Sequence, residues 1–203
     1  MTGLDSVYRQ DDGHVLIELN LSSVSQLFNS FDPAPFHEKE LDSYAEKYIV
    51  DVVSDFPRRT KFRIIVYLPD AVATTKEAQD IPKAIRRHFE YRALIQNHKY
   101  RDRSVYGKFT IIVGLTFLAI AIIASNAVAE HFPDSPTAQL IATALMVAGW
   151  VAMWEPVTVH LYQLWPIIQQ RRLYERISAM DIEVLPHSCS TSQENLQACL
   201  LKR

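Results

Sequence analysis

The sequence predicts an α+β membrane protein: a small cytoplasmic βαβ-like domain, a long basic juxtamembrane helix, a two-helix transmembrane hairpin and an amphipathic C-terminal segment. Three observations carry this reading. Phe109–Ala129 runs 21 residues without a charged side chain. A helix of that length covers roughly 30 Å, the thickness of a bilayer's hydrocarbon core. A second charge-free run of 20 residues, Ser135–Trp154, follows after only Glu130–Asp134, so the two form a tight hairpin. The charge around them is uneven: through Asp80 there are 8 Lys and Arg against 14 Asp and Glu, and from Ile81 to Thr110 there are 8 against 2. The overall charge of −2 averages two unlike regions.

That asymmetry sets an orientation. The eight basic residues between Ile81 and Lys108 immediately precede the first run, Arg171, Arg172 and Arg176 follow the second, and the connecting EHFPD has two acids and no Lys or Arg. Positive residues stay on the cytoplasmic side, which places both termini in the cytoplasm and the loop outside. Residues 1–20 carry Asp5, Asp11, Asp12 and Glu18 and lack an apolar core, so the first span is expected to act as the targeting signal. The boundaries that follow are 1–80 for the cytoplasmic domain, 81–108 for the basic helix and 109–155 for the hairpin. Residues 156–186 form the amphipathic interfacial segment and 187–203 a flexible tail.

Within the first domain, Met1–Gly13 is polar and reads as frayed. Val15, Ile17, Leu19 and Leu21 alternate with Leu16, Glu18 and Asn20, the period of a half-buried strand. Ser23 and Gln26 have capping-box spacing for a short helix, which Pro33 and Pro35 exclude from continuing. A second capping box, Ser43 to Glu46, opens a helix to Phe56 with Ala45, Ile49, Val52, Val53 and Phe56 on one stripe. Phe62, Ile64, Val66 and Leu68 mark a second strand. Two strands make a poor sheet, and about 80 residues bury little core. The missing sheet partners are therefore expected from other subunits, making a homo-oligomer.

From Ile81 the pattern turns helical, with Pro82 suited to a first turn. One helix to Ala129, or two hinged near Ser104–Gly107, fits the pattern. Its Arg86, Arg87, Arg92, Lys99, Arg101, Arg103 and Lys108, with Arg171 and Arg172 after the hairpin, are assigned to lipid headgroups, at about 1 kcal/mol per basic residue near an anionic surface. No recognition motif interleaves with them, so nucleic acid is not an expected partner. Ala144, Ala148 and Ala152, four apart, with Gly149, form a candidate helix-packing seam, within the hairpin or between subunits. Pro156 kinks the chain beyond it. Trp150, Trp154, Tyr162 and Trp165 read as an interfacial aromatic belt. Glu155, the one carboxylate touching a span, is either an interfacial acid paired with a basic residue or an ion or proton site.

Motifs for chemistry are absent from the sequence. Five glycines form no phosphate-binding loop, and seven histidines include no HExxH. The acids around His37–Asp42 load a helix start more readily than they hold a metal, so no metal, cofactor or enzymatic activity is expected. Cys189 and Cys199 read as free thiols in a reducing compartment, with acylation of Cys199 as the alternative.

The stretches LFNSFDPAPFHEKELDSYAEKYIV and GWVAMWEPVTVHLYQLWPI, with the spans between them, resemble a group of small bacterial membrane proteins that pair a cytoplasmic α/β segment with two spans. The resemblance covers residues 14–186, implies the bacterial inner membrane and carries no functional residues. The resulting expectation is an oligomeric inner-membrane scaffold or sensor that binds membrane lipids and a cytoplasmic protein partner. The alternative is a subunit of an ion channel or transport complex gated by the cytoplasmic domain.

Overall fold

A computed structural model of the chain describes residues 8–32 and 39–189. The expected break at Pro33 and Pro35, the acids at His37 and Glu38, Cys199 and the side chain of Cys189 lie outside what is described.

The alternating stretch forms β2 (His14–Asn20), entered from a short antiparallel strand, β1 (Gln10–Asp11). Asp12 and Gly13 between them take φ of 46° and 72°, the left-handed geometry of a two-residue hairpin, for which Asp-Gly is a strong signal. Residues 10–13 are thus ordered as a hairpin where the sequence suggested fraying. β3 (Lys61–Leu68) lies parallel to β2, and β4 (Asp181–Pro186) lies parallel to β3, giving the order β1-β2-β3-β4. This corrects two expectations. The sheet has four strands from one chain, so the argument that it needs strands from other subunits falls away. The end of the segment assigned to an interfacial helix is instead the strand that closes the sheet.

One face of the sheet carries Val15, Ile17 and Leu19 of β2, Phe62, Ile64, Val66 and Leu68 of β3, and Ile182 and Val184 of β4, all buried. Over it pack Ile49, Val52 and Val53 of α1 (Ser43–Asp55), and Ile81, Ile85 and Phe89 of α3 (Lys76–His131), which follows the short α2 (Asp70–Ala73). Ile177, near the end of α6 (Trp165–Ser178), joins them. Each such side chain stabilises the fold by roughly 1.5–3 kcal/mol. The opposite face buries only Leu16, Ile65, Tyr67 and Leu185 and carries ion pairs, Arg9 to Glu18 at 3.0 Å and Arg63 to Asp11 at 3.3 Å.

Helix α3 runs Lys76–His131, 56 residues in one piece. Thr75 Oγ1 accepts from the Ala78 amide at 3.3 Å, and the helix starts six residues before Pro82, which therefore lies inside it rather than at its first turn. No hinge interrupts 104–107. The chain returns through α4 (Pro136–Ala152), whose N-cap is Ser135, then α5 (Trp154–Thr158), a π-helical turn (Val159–Leu164) and α6. The expected disturbance at Pro156 takes the form of this short helix and π turn. Two compact units result, residues 1–94 with 172–203, and residues 95–171. The first holds the sheet and the second the helical hairpin.

Residues 63 and 181 are register partners on the less covered face of β3 and β4. With Cys189 and Cys199 replaced by Ser, the pair Arg63→Cys and Asp181→Cys is expected to form an intramolecular disulfide under mild oxidation, since adjacent strands bring Cα atoms within bridging range. A reduced-only product on non-reducing gels would remove β4 from the sheet.

Candidate functional site

The hairpin unit is built around small residues. Ala138, Ala142 and Gly149 are the buried positions of α4. A Cβ on Gly149 would stand 2.9 Å from Ala121 Cβ and 3.0 Å from Leu118 Cδ1 of α3, so only glycine permits that approach. Ser125 Oγ donates across the seam to the Ala142 carbonyl at 2.8 Å. Of the expected seam, Gly149 lies in it and Ala152 is half-buried, whereas Ala144 and Ala148 face outward. An alanine-rich helix has small residues on several faces, and spacing alone did not select the packed one.

Nearer the start of the hairpin, Gly107 and Gly114 serve the same purpose. A Cβ on Gly107 would come within 3.2 Å of His160 Cε1 and Val159 Cγ1, and one on Gly114 within 3.0 Å of Pro156 Cγ. Gly107, weighed from sequence as a hinge, is a close-packing position under the π turn. These approaches leave a groove of about 310 Å³ beside α3, lined by Phe109, Val113, Phe117, Ala152 and Pro156. Tyr106 and Glu155 line it too, with the Tyr106 hydroxyl donating to Glu155 Oε1 at 3.4 Å. Glu155 therefore meets a phenol, not the basic side chain expected. Tyr106 also borders an open recess of about 580 Å³ with Lys99, Asp102, Arg103 and Ile167.

The predicted basic set divides by partner. Lys99 and Arg103 border the recess, and Arg101, Lys108 and Arg172 are exposed. Arg171 donates to Asn97 Oδ1 at 3.0 Å. Arg86 Nε donates to the Ser178 carbonyl at 3.1 Å, and Arg87 is exposed. Arg92 departs furthest from expectation, because Glu46 of α1 takes its guanidinium. Trp150, Trp154, Tyr162 and Trp165 are all exposed on the hairpin unit.

Glu46 anchors a buried polar cluster in the sheet unit. Its Oε2 accepts from Arg92 Nε at 3.1 Å and Nη2 at 2.5 Å, and lies 3.2 Å from His88 Nε2. His88 Nδ1 accepts from the Leu41 amide at 3.2 Å, so neutral His88 carries its proton on Nε2 and donates it to Glu46. The cluster ties α1, α3 and the chain at Leu41 together, with Glu46 9% and His88 5% exposed. It also displaces the expected capping box: Glu46 points inward, and Asp42 Oδ1 caps α1 by accepting from Tyr44 N at 2.9 Å. Burial raises the Glu46 carboxyl, but hydrogen bonds from His88 and Arg92 and the Arg92 charge more than offset this, leaving it below the ordinary 4.5. Tyr174, packed on Phe89 at 6.1 Å between centroids, is pushed up by burial and then by the Glu46 carboxylate.

Among the described residues, no group of three or more His, Cys, Asp or Glu side chains is placed to hold a metal ion. Comparison with protein-family models, curated proteins and solved structures finds no match to this chain. The geometry thus defines a mixed α+β protein with two helices long and apolar enough to cross a membrane. Sequence reasoning missed His88 and Glu46 as partners, for 42 residues separate them and neither lies in a motif. It also missed Asp102 and Tyr106, although the Lys99–Arg103–Tyr106 spacing on one helix face was available.

A carboxyl whose folded pKa is depressed contributes stability above its unfolded value and loses it as pH falls through the folded one. The melting temperature of the detergent-solubilised protein, followed by near-UV circular dichroism, should therefore fall progressively below about pH 4.5. Glu46→Gln is expected to cost about 1–3 kcal/mol at neutral pH and to flatten that acid limb. An unchanged acid limb in the variant would remove Glu46 from this role.

Proposed function

We propose that the chain is a two-pass protein of the bacterial inner membrane. Its sheet unit works on the cytoplasmic side as a non-enzymatic scaffold or sensor that assembles with copies of itself or with a cytoplasmic partner. The observation that carries this is the placement of the hairpin. Its most apolar 18-residue windows have mean hydropathies of 2.4 and 1.5, and only 11% and 17% of them is buried. Apolar helices left this exposed are covered by lipid or protein. The sheet unit has an apolar core of its own.

Four hydroxyls of the hairpin favour the scaffold over the channel. Thr110, Thr116 and Thr143 donate to the carbonyls of Gly107, Ile112 and Gln139, and Ser125 to that of Ala142. Each hydroxyl's proton is thus committed to backbone rather than offered to a water-filled path. On the sheet unit, Tyr44 and Tyr48, one turn apart on α1, are exposed, and exposed aromatics of this kind suit a protein-binding face.

Native mass spectrometry of the full-length protein released from nanodiscs tests this reading. Ejected complexes should hold two or more copies or retain a partner protein, and Tyr44→Ala with Tyr48→Ala should reduce that retention. A bare monomer would contradict it, and a bilayer conductance altered by Asn126→Leu or Thr143→Leu would replace it with the channel.

A further inference from the structure

We propose that the groove and recess of the hairpin unit form one binding site for a single acidic phospholipid. The phosphodiester sits between Lys99 and Arg103, and an acyl chain lies along Phe109, Val113 and Phe117. Residues 99, 103, 106, 110, 113 and 117 of α3 are spaced by alternating fours and threes, so they fall on one stripe of the helix. That stripe is cationic at its start and, beyond Tyr106, carries Val113, Phe117 and a Thr110 whose hydroxyl is bonded to the Gly107 carbonyl, the polarity order of a lipid entering a leaflet. From Tyr106 to Phe117 it extends roughly 16 Å, about half of a ~30 Å hydrocarbon core.

Charge and exposure select the occupant. Lys99 and Arg103 make no ion pair among the described residues. With Asp102 they leave the recess one positive charge, the complement of one phosphodiester, while the site's second carboxylate, Glu155, lines the groove rather than the recess and accepts from the Tyr106 hydroxyl. A zwitterionic headgroup brings its own cation and forfeits that match. Below the recess, Phe109 is 63% and Val113 and Phe117 are 48% exposed, while the wall opposite is Ala152 and Pro156, flat side chains brought close by Gly114. Tyr106 stands at the junction. Its ring is 44% exposed and its hydroxyl is turned to Glu155, an amphipathic residue at the depth where headgroup gives way to chain.

The site rests on the hairpin lying in a bilayer, and the test separates the two ideas. Full-length protein is incorporated into nanodiscs of equal phosphatidylglycerol and phosphatidylcholine and ejected for native mass spectrometry. One phosphatidylglycerol per chain is expected to survive ejection in preference to phosphatidylcholine. Lys99→Gln with Arg103→Gln should lower its retention about tenfold or more. Val113→Trp, which fills the groove while keeping the cations, should lower it as well. Lys83→Gln, an exposed basic position on the same helix outside the stripe, should leave retention unchanged. Equal retention of the two lipids, or retention indifferent to both site variants, overturns the proposal. So does a Val113→Trp effect on subunit number alone, which would assign the groove to a second copy of the chain. A protein that stays soluble and never enters the nanodisc contradicts the membrane reading itself.

Discussion

The parallel pairing of β3 with β4 is the constraint on which the remaining architecture depends. Parallel neighbours cannot be joined by a tight turn; the chain must leave one end of the sheet and re-enter at the other. A dozen or more residues suffice for such a crossover, yet here residues 69–180 intervene. The two long apolar helices lie wholly within that excursion. Since both strands belong to one sheet, a chain that crosses a membrane between them must cross an even number of times. The pairing register, 63 with 181 through 68 with 186, therefore bears on topology as well as fold. It also explains why residues 172–186 belong with the sheet unit although they follow the hairpin in sequence.

The sheet unit is asymmetric in how it is held. One face is covered by α1, the start of α3 and the end of α6, and this apolar layer supplies most of the stabilisation. The Glu46, His88 and Arg92 cluster adds orientation rather than bulk. A buried carboxylate shared between an imidazole N–H and a guanidinium permits few arrangements of α1 on α3. His88 extends the restraint to the Leu41 amide, while Asp42 N to Leu27 O and Asn29 N to Glu40 O, both 2.9 Å, close the base of the connection from Leu27 to Asp42. The hairpin unit is held differently. In an apolar surrounding, association comes from close backbone approach, and Gly107, Gly114 and Gly149 each sit where a methyl group would crowd the facing helix.

Much of this was legible in the sequence, and the failures have physical causes. The charge-free runs and the alternation in β2 and β3 are strong one-dimensional signals because each element repeats its own period. The Asp12-Gly13 turn is an equally local signal, but the polar residues around it mask it. β4 was harder: DIEVLP alternates for only six residues directly after a helix, too short to separate from helical continuation. The groove reads as a stripe once α3 is known to be unbroken, but its far wall comes from Ala152 and Pro156, which no spacing rule links to Val113. Glu46 reads as half of a capping box because its local partner, Ser43, is three residues away, while its actual partners, His88 and Arg92, are 42 and 46 residues away.

Single-cysteine labelling of the full-length protein in its native membrane is the most direct trial of a hairpin enclosed within a sheet crossover. Lys61→Cys, Asp181→Cys and Phe132→Cys, each in a background with Cys189 and Cys199 replaced by Ser, would be exposed to a membrane-impermeant maleimide before and after lysis. The expected result is that position 132 reacts in intact cells while 61 and 181 react only after lysis. Reaction of 61 and 181 from opposite sides, or of all three from the same side, would contradict the topology drawn from β3 and β4.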